Sequence, residues 1–378
     1  MMINNPKIFA MYLPQFHCIP ENDEFWGQGF TDWVTVKNAK PLYEGHYQPR
    51  VPLNSNYYDL SIAENVKWQA ELAKSHGVSG FGVYHYWFNN EKNLLTKPAE
   101  IMRDTPNLGV KYFYVWDNCL WKRSWSNLQE GNDWAPVTDD KLNKKSGPEV
   151  LIPYILGGKK DWEIHYNYLR SHFLSDNYEK IDNMPLFGIF HFSEDIVEMC
   201  EYWNELAKAD GFDGIYFIIK SSDYKVYPSM FCRYNYEPHH SAWEPKLFMK
   251  IVNKLLRILH ISIPSHNGIM FYDYDKVWKS LLKYASNHKE ANLIHGAFVG
   301  YDDSPRRGSN KSKIVINQTP EKFSKYLKQL IEISRKQDKN YIFLTAWNEW
   351  GEGAYLEPDT VDGLSYLEAV KKAVICVC

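Results

Sequence analysis

The chain has 378 residues, 43 basic against 46 acidic side chains, a formal net charge of −3 and 44% hydrophobic residues, enough for a sizeable core. That balance excludes a general nucleic-acid binder, which carries a basic excess, and no apolar run approaches the roughly 20 residues that span a bilayer. Aromatic residues are the anomaly, with 14 Trp, 27 Tyr and 19 Phe. Many stand beside polar and turn residues, as in an exposed cleft where flat sugar faces stack on rings.

Short apolar runs recur along the chain. The first is Ile8–Leu13, followed by a long polar and aromatic segment to about Leu60; Ser61 is then placed to cap a helix over Ile62–Ser75. Val78–Tyr84, Val110–Val115, Pro185–Phe190, Gly214–Ile219, a weaker Phe231–Tyr236, Gly296–Val299 and Tyr341–Ala346 complete eight strand candidates. Helical periodicity occupies Asp195–Ala209, Lys246–His260, Tyr274–Asn287 and Glu321–Lys336, and the polar stretch Gln129–Pro148 reads as a surface loop. Strands alternating with helices argue a parallel sheet. Eight such units in this length predict an α/β fold of one domain over residues 1–378, a (β/α)8 TIM barrel with enlarged loops after strands one and three. The rival, a doubly wound open sheet, lacks its G-x-G-x-x-G after the first strand.

Several predicted strands end in polar or aromatic clusters: Pro14-Gln15-Phe16-His17, His85-Tyr86-Trp87, Trp116-Asp117-Asn118, His191, Asp302-Asp303 and Trp347-Asn348-Glu349. Barrel active sites are built on that carboxyl-end rim. The last cluster opens Trp347-Asn348-Glu349-Trp350-Gly351-Glu352-Gly353, two carboxylates three residues apart among indoles, with glycines that free the backbone to turn. Apolar indole walls raise a carboxyl pKa, and neighbouring carboxylates push their pKa values apart. Glycoside cleavage needs such a pair, one acid and one nucleophile or base.

Six cysteines, Cys18, Cys119, Cys200, Cys232, Cys376 and Cys378, lack C-x-x-C spacing, and the first residues show no signal-peptide pattern, so a reduced, cytoplasmic location is expected. No H-E-x-x-H accompanies His239-His240, and no metal or other cofactor is expected.

Tyr12-Leu13-Pro14-Gln15-Phe16-His17, Trp26-Gly27-Gln28-Gly29-Phe30-Thr31-Asp32-Trp33, Gly45-His46-Tyr47-Gln48-Pro49-Arg50, Tyr84-His85-Tyr86-Trp87-Phe88 and Trp347–Gly353 with Tyr355-Leu356-Glu357-Pro358 resemble WbsX-like proteins. These proteins accompany bacterial O-antigen and capsule gene sets and carry a domain similar to glycoside hydrolase family 99, whose members are retaining endo-α-mannosidases. The resemblance runs from the first strand to the last. It implies that Glu349 deprotonates the sugar 2-hydroxyl, which attacks C1 to form a 1,2-anhydro sugar. Glu352 would be the acid, then the base that activates water or another acceptor. One block departs from the family: relatives tend to read Trp-Ala-Asn-Glu-Asn-Trp where this chain reads Trp116-Asp117-Asn118-Cys119-Leu120-Trp121. The replaced glutamate and asparagine imply an altered subsite or reduced activity, with Asp117 as the compensating carboxylate two positions away.

The expected sugar contacts are Tyr12, Gln15, His17, Trp33, His46, Tyr47, His85, Tyr86, Trp87, Trp116, Asn118, Trp121, Asp302, Trp347, Asn348 and Tyr355. Arg123, Arg306 and Arg307 suit an acidic sugar or a diphosphate, or else a solvated surface. The basic face of Lys246–His260 suits weak contact with an anionic membrane surface, or simply the wet side of a barrel helix. The expected activity is retaining hydrolysis or transglycosylation of an oligo- or polysaccharide. A glycosyltransferase of O-antigen or capsule assembly and a non-catalytic glycan-binding barrel are the alternatives.

Overall fold

Each of the eight predicted apolar runs forms a strand in the computed structural model of the protein, which describes residues 5–122, 150–221, 227–243 and 268–375. The strands are β1 Lys7–Tyr12, β2 Gly80–Asn89, β3 Lys111–Trp116, β4 Met184–Ile189, β5 Tyr216–Lys220, β6 Phe231–Tyr234, β7 Leu293–Phe298 and β8 Tyr341–Thr345. The helices are α1 Pro20–Trp26, α2 Asp32–Asn38, α3 Ala63–Ser75, α4 Lys97–Asp104, α5 Lys159–Phe173, α6 Asp195–Ala209, α7 Tyr274–Asn287, α8 Ser304–Arg307, α9 Pro320–Lys336 and α10 Ser365–Ile375. Neighbouring strands pair in parallel from β1 through β8, and β1 pairs with both β2 and β8. The sheet therefore closes, and the fold is the (β/α)8 barrel.

Closure gives each strand two buried faces, one toward the barrel axis and one toward the helices, because successive side chains alternate. Across the axis, Phe9 meets Phe113 at 5.4 Å, Phe113 meets Phe343 at 5.3 Å and Phe343 meets Tyr234 at 5.6 Å between ring centroids. Four strands thus fill one interior layer. The opposite faces carry rings that dock the helices: Tyr112 bonds His172 of α5 at 2.7 Å, and Trp116 lies 6.4 Å from Trp203 of α6.

Some local expectations are corrected. β2 runs on to Asn89, past the expected Tyr84, because Tyr86–Asn89 gain an antiparallel partner in Lys92–Leu94. Ser61 does not cap α3; its hydroxyl bonds Asp59 at 2.6 Å, and Ile62 occupies the cap position without a side-chain bond. Helices α1, α2, α4, α5, α8 and α10 were not expected. The long segment after β1 holds α1 and α2 over the barrel's carboxyl end, where Asp32 N donates to Gln15 O at 3.0 Å. Arg123, the loop Gln129–Pro148, the helix Lys246–His260, Cys376 and Cys378 lie outside the described residues. Among the described residues no helix is long and apolar enough to cross a membrane.

Candidate active site

Beyond β8 the chain folds back on itself: Asn348–Glu349 pairs antiparallel with Ala354–Tyr355 around a tight helical turn at Trp350–Glu352. Gly353 makes the return possible with φ +56°, and a side chain there would lie 2.9 Å from Asp302 Cβ. The hairpin is pinned to the β1 end. Asn348 accepts from Leu13 N at 2.7 Å and donates to Leu13 O at 3.0 Å, while Trp347 N donates to Met11 O at 2.7 Å. These bonds place Glu349 and Glu352 on the carboxyl-end rim.

One guanidinium serves both carboxylates. Arg306, carried by α8, donates from Nη2 to Glu349 Oε1 at 2.7 Å and from Nη1 to Glu352 Oε1 at 2.9 Å, with Asp32 of α2 at 3.4 Å from Nη2. Gly351 makes room for this cluster, since a Cβ there would stand 2.8 Å from both Arg306 Nε and Asp32 Oδ2. The Glu349 side chain is 5% exposed and that of Glu352 23%, so the first is sealed and the second reachable. Burial pushes the Glu349 carboxyl well above the ordinary range; Arg306 opposes that rise, and the charges of Glu352 and Asp32 add to it.

The wall around the pair is phenolic rather than indole. Tyr84 and Tyr236 share a 2.8 Å hydroxyl contact, and Tyr86 accepts from Gln15 Nε2 at 3.1 Å. Burial raises all three phenols, and each also feels the charge of Glu349. Tyr301 likewise feels Glu352. The expected indole walls stand behind the site: Trp347 packs on Phe81 at 5.2 Å, and Trp350 stacks on Tyr355 at 3.8 Å, both fully buried.

Two buried carboxylates support the hairpin. Asp302 receives His46 Nε2 at 2.9 Å, Gln48 Nε2 at 2.7 Å and Ser304 N at 3.1 Å, with Arg50 at 3.5 Å. Burial alone would raise its pKa, but the His46 bond and the Arg50 charge hold it well below the carboxylate range. Its backbone N–H donates to Glu352 O at 2.6 Å. Glu357 accepts from Tyr58, Trp350 and Gln69, each at 2.7 Å. Burial pushes Glu357 up to about 7 against those donors.

The expected contact residues therefore divide. Gln15 and Tyr86 lie at the carboxylate pair, with Trp121 5.4 Å from Tyr86. His46, Asp302, Trp347, Asn348 and Tyr355 hold the hairpin. Trp33 packs beneath it, 5.5 Å from Trp350, while donating to Tyr58 O at 2.8 Å. Tyr47 meets Thr360 at 3.2 Å and Arg50 across its ring. Asn118 is spent on the His191 backbone. His17 is buried toward Asp59 and Lys97. Four residues are not brought to the pair, because they sit on the outward phase of their strands: Tyr12 bonds Gln69 of α3 at 2.6 Å, His85 bonds His165 of α5 at 2.8 Å, Trp87 stacks on His165 at 4.2 Å, and Trp116 faces α6. Tyr84, Tyr236 and Asp32 were missed as site residues, and Arg306 was read as an anion binder or a solvated surface residue. For Tyr84 the signal was available, since it shares the inward phase of β2 with Tyr86. Among the described residues, Asp117, Cys119 and His191 bring metal-ligating atoms together, within 4.8 Å of one another.

A profile of the family described as "Glycosyltransferase WbsX" matches residues 8–370. The chain is 27% identical over 379 residues to "Uncharacterized protein WxcX" of Xanthomonas campestris pv. campestris strain B100, a match covering 97% of the chain and 49% of that protein. The same protein from a second strain matches equally. The chain thus spans about half the length of the curated relatives it matches. Among solved structures it is similar to a "Glycoside hydrolase-like protein", with TM-score 0.56, 12% identity and coverage of 98% of this chain and 94% of that one. It is also similar to the GH99 endo-alpha-mannosidase from Bacteroides thetaiotaomicron, with TM-score 0.55, 13% identity and coverage of 99% and 98%. At such identities the likeness is one of fold.

Proposed function

The chain belongs to the glycosyltransferase WbsX family, and from that membership we propose that it is a carbohydrate-active enzyme working through Glu349 and Glu352. The observation that carries this reading is the sharing of Arg306 by both carboxylates at the carboxyl end of the barrel. The reaction is retaining hydrolysis or transglycosylation of an oligo- or polysaccharide, and residues 1–378 act as one domain. Ionised Glu349 takes the proton of the sugar 2-hydroxyl as that oxygen attacks C1 and the C1–leaving-group bond breaks. Glu352 protonates the departing oxygen, then takes the proton of the water or acceptor hydroxyl that bonds to C1 as the C1–O2 bond of the anhydro ring breaks, and Glu349 returns its proton to O2. Burial supports the first role, since a carboxylate with raised proton affinity is a better base toward a weakly acidic hydroxyl. The greater exposure of Glu352 suits a group that must meet leaving group and acceptor in turn. Gln15, Tyr84, Tyr86, Trp121 and Tyr236 line the sugar position.

The second reading, transfer from a nucleotide sugar in O-antigen or capsule assembly, is favoured by the family's description. Incubation with the producing organism's own polysaccharide or lipid-linked repeat, with and without nucleotide sugars, separates the two. Turnover without nucleotide, with the anomeric configuration retained in the first product seen by NMR, is the expected result. Strict dependence on a nucleotide sugar would select the transferase, and binding without turnover a glycan-binding barrel.

A further inference from the structure

Asp117 and Cys119 follow β3, His191 follows β4, and the barrel brings the three side chains to one point of its rim. Cys119 Sγ lies 3.1 Å from Asp117 Oδ1, and His191 Nε2 lies 3.6 Å from the same oxygen. Ligands on one tetrahedral ion stand roughly 3.3–3.6 Å apart, given Zn–S near 2.3 Å and Zn–N or Zn–O near 2.0 Å. Two of the three separations thus lie close to that spacing, and the third, between Cys119 and His191, lies within 4.8 Å, so a small side-chain rotation would draw all three onto one ion. The residue between the first two holds the third: Asn118 accepts from His191 N and donates to His191 O, each at 2.7 Å. Asp117 N donates to His85 O at 3.0 Å and Cys119 N to Asp117 O at 2.9 Å, so the loop that carries the first two ligands is fixed by its backbone. Such outer bonds orient metal ligands.

We propose that Asp117, Cys119 and His191 form a three-ligand site for a divalent ion of the zinc class. A thiolate and an imidazole select a borderline-soft ion over magnesium or calcium, which prefer oxygen alone. The His191 side chain is 48% exposed, which leaves a remaining position open to water or to the vicinal hydroxyls of a sugar. Asp117 also acts electrostatically on Tyr86, which in turn feels Glu349, so the ion would stand in the same barrel mouth as the carboxylate pair. On binding, the S–H bond of Cys119 breaks, its proton leaves to solvent and a metal–sulfur bond forms, so affinity rises with pH.

The test titrates the chelator-treated full chain with Co2+, then with Zn2+. One equivalent of Co2+ is expected to give a near-ultraviolet thiolate charge-transfer band that Zn2+ removes. Cys119→Ser is expected to abolish the band, and His191→Ala to weaken Co2+ binding at least about tenfold. A readout free of variants is alkylation followed by peptide mass: Zn2+ is expected to protect Cys119 and leave the exposed Cys18 reacting at its former rate. No band in the unaltered chain, an unchanged band in Cys119→Ser, or equal alkylation of Cys119 with and without Zn2+ would overturn the proposal.

Discussion

Arg306 Nη2 donates to Glu349 Oε1 at 2.7 Å across 43 positions of sequence, and it is the cation that opposes the rise in the Glu349 pKa caused by burial. If ionised Glu349 is the base, kcat/KM rises with pH through its raised pKa. Arg306→Ala removes the opposing charge, so that pKa climbs further and the rising limb moves to higher pH by about one unit or more. Arg306→Lys keeps a charge but not the fork, and its limb is expected in between. pH–rate profiles of the three proteins check this. An unmoved limb in Arg306→Ala would separate Arg306 from the proton chemistry.

Glu357 is sealed behind the site with three donors on it. Glu357→Ala leaves those donors buried and unpaired and is expected to cost about 3 kcal/mol or more. Glu357→Gln is expected to cost only about 1 kcal/mol, because Gln69 can turn its amide and Tyr12 its hydroxyl to restore the bonds. The folded pKa of about 7 lies above the unfolded value of about 4.3. The folded chain therefore holds the extra proton, and this group's stabilisation is full below the unfolded pKa and is lost as pH rises to about 7. Denaturant unfolding of both variants across that window measures cost and slope together.

Buried histidines act in the opposite direction. His85 and His165 are both held well below the ordinary imidazole pKa by burial, each ring also repelled by a neighbouring histidine. Burial lowers His172 to about 3. Their folded pKa values lie below the unfolded value of about 6.5, so the unfolded chain binds more protons in acid. Stability present above that value is lost as pH falls, by up to about 1.4 kcal/mol per pH unit per ring. Unfolding free energies measured between neutral pH and pH 5 are expected to carry this loss, opposed by the protons that the raised carboxyls of Glu349 and Glu357 hold in the folded chain. Rings that titrate near the ordinary imidazole pKa in the folded chain, followed by NMR, would contradict this.

The strands were legible because each is a short apolar run, and the carboxylate pair because its motif sits at the end of the last one. Which face of a strand looks inward was not legible. Strands buried on both sides carry apolar and aromatic residues on both phases, so Tyr84-His85-Tyr86-Trp87 offers no polar alternation to separate the site-facing tyrosines from the helix-facing His85 and Trp87. Arg306 and Asp32 stand 274 positions apart, and only closure of the barrel brings them together. Trp347 and Trp350 belong to the motif but brace the hairpin instead of walling the pair, a difference that local sequence cannot carry.

The most direct measurement is turnover of the organism's own glycan by the unaltered chain, Glu349→Gln and Glu352→Gln, each first shown to unfold at a similar temperature. Removing one member of an acid–base pair is expected to lower kcat/KM by about 100-fold or more. Because Glu352 is the reachable acid, an activated substrate whose leaving group needs no proton is expected to restore Glu352→Gln but not Glu349→Gln. Turnover within a few-fold of the unaltered chain in either variant would contradict the assignment of the reaction to this pair.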